Sequence, residues 1–197
     1  MLTDEQLVQA MARGDQAAFE AFVHRYHGPL LGYLERTLQD ARKAEDLVQE
    51  VFLRLIRQLR NGRPPDPVRP WLYKVALNLC RDYWKSPGYR TGSHLVEEPP
   101  ERMDSEPSVS EIYERQETRK ELLETLDELP EVQRHIIVLR FYQELKLQEI
   151  AAALEIPLSS IKTHLYTGLK KLQKRLLGRP KESLKERKEP PHARTDR

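Results

Sequence analysis

The chain has 197 residues, of which 39% are hydrophobic and 32% charged, with a formal net charge of +2. That is too little apolar material for one thick core but enough for two compact helical units. The absence of an 18-residue apolar run, of a basic-then-apolar leader and of a second cysteine beside Cys80 argues against a spanning helix, a secretory signal and an internal disulfide, and a reducing cytoplasm is the expected compartment.

The predicted elements are all helical. Thr3-Asp4-Glu5-Gln6 has capping-box spacing, and Leu7, Ala10 and Met11 follow at helical intervals. Asp15 caps a second helix carrying Phe19, Phe22, Val23 and Tyr26, which His27-Gly28-Pro29 is expected to interrupt before Leu30, Leu31, Leu34 and Leu38 resume the period. Asp40 precedes the clearest helix, residues 41–59, with Ala44, Leu47, Val48, Val51, Phe52, Leu55 and Leu59 on one stripe. Arg60–Pro70 holds four prolines in eleven residues and reads as an extended loop. A helix from Trp71 to about Lys85 turns Leu72, Val75, Ala76, Leu79 and Tyr83 inward, and Cys80 reads as a small core-side residue.

Residues 87–107 are rich in proline, glycine and acids and read as a flexible linker. Ser108-Val109-Ser110-Glu111 offers another capping box, opening a helix that runs to Pro130. Val132, Ile136, Leu139 and Arg140 mark the next helix, and 147–154 a short one in which Ala151 and Ala152 suit a close helix crossing. Glu155–Leu158 turns the chain, Ser159 or Ser160 caps a last helix at 159–177, and the tail after Gly178 is polar. The expected fold is all-α: a domain at 1–86, a linker at 87–107, a second domain at 108–177 and a tail at 178–197.

Charge is segregated along the chain. It is −4 over residues 1–53, +7 over 54–94, −8 over 95–128, −1 over 129–157 and +8 over 158–197. Two basic blocks separated by an acidic one suit a chain that meets nucleic acid at two places.

Three surfaces stand out. On the 41–59 helix, Asp46, Gln49, Glu50 and Leu53 fall at i, i+3, i+4 and i+7, a second face of acids and an amide ending in one leucine. It fits docking against a basic helical partner, and spacing alone fits a solvated face as well. The stretch from Arg54 to Arg90 interleaves nine Lys or Arg with Trp71, Tyr73, Tyr83 and Trp84. Phosphate neutralisation plus base stacking is the chemistry of single-stranded nucleic acid; Trp71 and Tyr83 read as core residues, whereas Lys74, Asn78 and Arg81 read as exposed. The third is a helix-turn-helix across 147–177. Its second helix projects Ser160, Lys162, Thr163, Tyr166, Thr167 and Lys170, and residues 158–179 hold six Lys or Arg and no acid. Such a helix places its N-terminal half in the major groove, so Lys162 and Thr163 are candidates for base edges and Lys170, Lys171 and Lys174 for phosphates. No phosphate loop, HExxH, GxGxxG or CxxC is found, and His24 with His27 lacks a third metal ligand nearby. No cofactor, metal or small-molecule substrate is therefore expected.

AEDLVQEVFLRL (44–55), WLYKVALNLCRDYW (71–84) and LPEVQRHIIVLRFYQELKLQEIAAALEIPLSSIKTHLYTGLKKL (129–172), in this order, resemble a bacterial sigma factor of the small extracytoplasmic-function (ECF) group. The resemblance implies a sigma-2 domain and a sigma-4 domain in a non-enzymatic subunit that directs core RNA polymerase to promoters. It implies that Asp46, Gln49, Glu50 and Leu53 dock on the β′ clamp helices. Arg63, Arg69, Lys74, Asn78, Arg81 and Lys85 would recognise and open the −10 element by capturing a flipped base. Ser160, Lys162, Thr163, Tyr166, Thr167, Lys170, Lys171 and Lys174 would read the −35 duplex, and the sigma-4 domain would meet the β flap. An anti-sigma partner, often membrane-bound, is implied too, with no membrane insertion by the chain itself. Val68 stands where an aromatic is common, Glu144 and Lys146 replace the usual Gly and Ser/Thr, and Ser159 replaces the common Gly. The alternative, a helix-turn-helix regulator that binds an operator without polymerase, would need a sensor or dimer helix in the first half.

Overall fold

The computed structural model describes residues 2–86, 89, 122 and 124–178. Among them the chain forms seven helices and no strand: α1 (Asp4–Ala12), α2 (Gln16–Leu38), α3 (Ala41–Arg60), α4 (Val68–Lys85), α5 (Glu131–Phe141), α6 (Leu147–Leu154) and α7 (Leu158–Gly178). Residues 124–127 are also helical and lead to Pro130. The capping box predicted at Ser108, the linker 87–107 apart from Tyr89, and the tail beyond 178 lie outside the described residues.

The first four helices begin largely where side-chain chemistry dictates. Thr3 and Gln6 complete their reciprocal capping box, with Gln6 N donating to Thr3 Oγ1 at 3.3 Å and Thr3 N to Gln6 Oε1 at 2.9 Å. Asp15 accepts from Ala18 N at 3.0 Å, and Asp40 from Lys43 N at 2.9 Å. Asp4 then clamps α1 to α2, receiving Arg25 Nη1 at 2.6 Å and the Tyr26 hydroxyl. All seven residues of the α3 stripe are buried.

Two proline expectations are corrected. Helix α2 runs through Pro29 without a break. An interior proline costs roughly 3 kcal/mol, and burial of Tyr26, Leu30, Tyr33 and Leu34 on both sides of it offsets that loss. Helix α4 begins at Val68, three residues before Trp71, so Pro70 lies in its first turn. There its missing N–H has no intrahelical acceptor to lose.

Of the inward stripe of α4, Leu72, Val75, Ala76 and Leu79 are buried as read and Tyr83 is not, while Tyr73 and Leu77 are buried as well, on the side expected to face solvent. The reason is that the second half of the chain packs there. Trp71 and Tyr83 are only partly buried, and Lys43 Nζ stands 5.2 Å from the centre of the Tyr83 ring. One continuous core joins Phe22, Tyr33, Leu72 and Cys80 to Ile136, Leu145 and Ile150. Burial pushes the Cys80 thiol up to about 12.

In the second half, Glu144 (φ 53) and Glu155 (φ 57) take left-handed backbone at the turns before and after α6. The first is the position where the resembled family carries glycine, so the turn keeps its shape under a less suitable residue. Helix α7 starts at Leu158, placing Ser159 and Ser160 inside its first turn rather than at its cap. Ala151 packs against the core as expected, and a second close approach lies at Gly168. A Cβ there would sit 2.9 Å from Ile137 Cδ1 and 3.3 Å from Gln133 Cβ on α5. Gly168→Leu is expected to destabilise the chain by about 1–3 kcal/mol through overpacking, read as a lowered midpoint in thermal or urea unfolding. An unchanged midpoint would mean that α5 and α7 separate without cost.

Candidate docking and nucleic-acid surfaces

Three faces emerge from this packing. On α3, opposite its buried stripe, Asp46 and Gln49 are exposed and Leu53 keeps 46% of its surface in water. A single exposed leucine is ordinary on a protein surface, so the face is a docking candidate through its combination with the carboxylates and the amide. Glu50 is more constrained than its neighbours. Its Oε1 accepts from Arg54 Nε at 3.0 Å and Arg57 Nη1 at 3.3 Å, and the bond to Arg54, followed by the Arg57 charge, holds its carboxyl below the usual range. The face is thus a carboxylate flanked by two guanidinium groups rather than a uniformly acidic strip. Lys43 stands 3.7 Å from Asp46.

The basic face of α4 is assembled, but the second half of the chain covers it. Arg69 donates to the Gln143 carbonyl, Lys74 Nζ meets Glu155 Oε1 at 2.7 Å, and Arg81 Nε lies 3.6 Å from Glu131 Oε1. Between them the buried Tyr73 hydroxyl donates to Gln143 Oε1 at 2.8 Å. Asn78 is half-buried on the same helix, while Arg63 before α4 and Lys85 at its end are exposed. Arg69, Lys74 and Arg81 have each found an oxygen acceptor of the kind a phosphate would supply. Further contacts across the same seam join Tyr33 to His135, Arg36 to the Tyr142 ring and Gln39 to Asp127.

Helix α7 presents Lys162, Thr163, Tyr166, Lys170, Lys171 and Lys174 to solvent, with Tyr166 69% exposed. Ile161, Gly168 and Leu172 hold the opposite side against α5 and α6. Ser160 and Thr167 do not share the open face fully. The Thr167 hydroxyl donates to Thr163 O at 2.9 Å and accepts from Gln133 Nε2 on α5 at 3.2 Å, so it braces two helices.

Two residues were not singled out from the sequence as DNA contacts. Arg140 from α5 and Lys146 before α6 line a cleft of about 270 Å³ together with Lys162. Three cations from three segments converge there, a pattern that linear spacing hides. The covering residues Gln143, Glu155, Glu131 and His135 were likewise unmarked, the one signal being the second apolar side of α4 at Tyr73 and Leu77.

Comparison with known proteins assigns these elements. The family model described as Sigma-70 region 2 matches residues 22–88, and that described as Sigma-70, region 4 matches residues 119–172. The chain is 28% identical to an RNA polymerase sigma-H factor of Pseudomonas aeruginosa over 180 residues, spanning 88% of this chain and 93% of that one. It is 30% identical to the ECF RNA polymerase sigma-E factor of Escherichia coli over 172 residues, spanning 84% and 90%. The fold is similar to that of CnrH in complex with the cytosolic domain of CnrY, with a TM-score of 0.64 at 23% identity over 87% of this chain and 96% of that one. It is also similar to a sigma factor RpoE bound to the anti-sigma factor NepR from Bartonella quintana, with a TM-score of 0.63 at 16% identity over 81% and 96%.

Proposed function

The chain belongs to the sigma-70 family, in its ECF group, and from that premise we propose how its surfaces divide the work of directing RNA polymerase to promoters. The α3 face, through Asp46, Gln49, Glu50 and Leu53, docks on the β′ clamp helices. The basic face of α4, with Arg63 and Lys85 at its ends, takes the non-template strand of the −10 element. Helix α7 lies in the major groove of the −35 element, with Lys162, Thr163 and Tyr166 towards base edges and Lys170, Lys171 and Lys174 towards phosphates. The observation that carries the division is the separation of an exposed leucine-bearing face on α3 from two basic faces on α4 and α7.

The polymerase supplies the chemistry and this chain the selection, so it acts as a non-enzymatic subunit in the cytoplasm. No helix among the described residues is long and apolar enough to cross a membrane. An anti-sigma protein of the kind seen with similar sigma factors is the expected negative regulator. In the closed arrangement Arg69, Lys74 and Arg81 are engaged by the second half, so −10 reading requires the two halves to part. The two halves, 1–86 and 108–177, act as separable domains in that step, as in the family.

The test of the whole reading is co-elution of the purified chain with core RNA polymerase, followed by run-off transcription from a mapped promoter. A complex that initiates only with this chain present bears the reading out. Binding of an operator duplex without any polymerase complex would favour a free-standing regulator.

The missed cations sharpen the −35 assignment. Lys162→Ala is expected to lose about 1–3 kcal/mol and to relax specificity at one −35 position. Lys146→Ala should instead weaken binding evenly across −35 variants and lower the salt slope by about 1, as a phosphate contact does. A −35 mutant library titrated at several salt concentrations separates the two. Equal, sequence-independent losses in both variants would move Lys162 to the backbone class.

A further inference from the structure

We propose that His135 makes closure of the two halves sensitive to pH, the halves holding together around a neutral imidazole and parting when that ring takes up a proton. The inference rests on the −10 reading of α4 only for its consequence, since the titration belongs to the seam itself.

The geometry is that of a buried base in the seam between the two halves. His135 on α5 is 2% exposed, and its Nδ1 lies 3.1 Å from the hydroxyl of Tyr33 on α2, which is wholly buried. Tyr33 in turn stands edge-on to Tyr73 of α4, ring centres 5.4 Å apart. The other ring nitrogen, Nε2, is buried with no hydrogen-bond partner. Its nearest acid is Glu131 Oε1 at 3.7 Å, and Arg81 Nε draws on the same oxygen at 3.6 Å.

The groups facing the ring come from every packed element. Helix α2 brings Tyr33, and α4 brings Tyr73, Cys80 and Arg81 around that tyrosine. Helix α5 itself supplies Glu131 and Arg134, and Glu149 of α6 acts on the neighbouring Tyr73. With two arginines and one shared carboxylate nearby, an imidazolium here would have a divided counter-ion and little contact with solvent.

Hydrogen bonding pushes the same way. Nε2 points towards a carboxylate, which assigns its hydrogen there and leaves Nδ1 to accept from the Tyr33 hydroxyl. A second proton on Nδ1 turns that acceptor into a donor, so the buried Tyr33 hydroxyl must turn to accept and its own hydrogen loses its acceptor.

The sign of the pH effect follows from linkage. Burial pushes His135 below its ordinary value of 6.5 and outweighs the opposing pull of Glu131. Once the seam opens, the solvated ring titrates near that ordinary value. The closed form therefore holds fewer protons, so closure is complete above this range and is lost as pH falls through it. One proton allows the opening constant to rise by at most about tenfold per pH unit.

The experiment reads closure in the full chain without polymerase or DNA, so it stands apart from the sigma assignment. Gln9→Cys and Gln173→Cys, exposed in the two halves, carry a donor and an acceptor dye, while the buried Cys80 stays unlabelled. Between about pH 7.5 and 5.5, energy transfer should fall, and in His135→Gln, whose amide still accepts from Tyr33, it should stay flat. Constant transfer in the unmutated seam overturns the proposal. So does an equal response in His135→Gln, which would hand the effect to the carboxylates. A second measurement needs no change at His135: an NMR titration of its ring should place its midpoint below the ordinary value of 6.5. A midpoint at or above that value also overturns it.

Discussion

Reversing two charges on α3, Asp46→Arg with Glu50→Arg, is expected to weaken core polymerase binding about 100-fold or more, with the helical fold retained. Asp46 is exposed, with one long contact to Lys43, so its replacement changes the docking surface and little else. Glu50 is different. It neutralises Arg54 and Arg57, and an arginine in its place would bring three guanidinium groups together on adjacent turns. The local cost of like charges at this spacing is a few tenths of a kcal/mol per pair, far below what unfolds a helix whose opposite stripe is fully buried. At an interface, by contrast, reversing a central charge meets the partner's complementary field and typically costs 2 kcal/mol or more per site. Size-exclusion co-elution and a fluorescence titration with core polymerase measure the loss, with circular dichroism as the control. Unchanged affinity would move the docking surface off α3. The acid-sensitivity of Glu50 gives the converse check. Its carboxyl is held down by the arginines, so its ion pairs persist to lower pH than those of an ordinary glutamate and are lost only as pH falls through that lowered value.

The helices and the caps of the first three were legible because each rests on nearest-neighbour chemistry. Thr3, Asp15 and Asp40 announce helix starts by donor satisfaction within three residues, and the α3 stripe announces its core by period alone. Pro70 misled because it falls in the first turn of α4, where a missing N–H costs no helical bond. Pro29 misled because its local cost is outweighed by burial on both sides, which depends on partners far along the chain. The same distance dependence hid the seam. From sequence, α4 offers one apolar side and one basic aromatic side, and only the approach of Gln143 and Glu155, 70 and 81 residues beyond their partners Tyr73 and Lys74, turns the second side inward. Charge pattern marked Lys74 and Arg81 as anion-seeking groups. The acids that meet them, Glu155 and Glu131, lie outside the acidic block at 95–128 that the same pattern marks. The cleft of Arg140, Lys146 and Lys162 was invisible for the same reason, since three segments contribute one cation each.

That seam yields the second large effect, in a direction opposite to ordinary loss of function. Gln143 lies buried on the turn between α5 and α6, and its side-chain oxygen accepts from the buried Tyr73 hydroxyl at 2.8 Å. Gln143→Leu keeps the volume and removes the acceptor, leaving that hydroxyl unpaired in the closed form. A buried polar group without a partner costs about 1–3 kcal/mol, and in the open form water satisfies it at no cost. The variant therefore shifts the equilibrium towards opening by roughly 5- to 150-fold. Where the closed form dominates, apparent affinity for a −10 single strand scales with the open fraction, so the variant should bind a labelled −10 oligonucleotide more tightly than the unmutated chain by up to that factor. The Arg69 bond to the Gln143 carbonyl is a main-chain contact and survives the substitution, which sets the gain below that of full separation. Adding Glu155→Lys, which places two cations together at Lys74, should increase it further. Weaker or unchanged binding in the double variant would mean that the covered face of α4 is not the −10 surface, or that closure does not limit access to it. The dye pair across the seam decides between these, because opening without a gain in binding condemns the first assignment and no opening condemns the second.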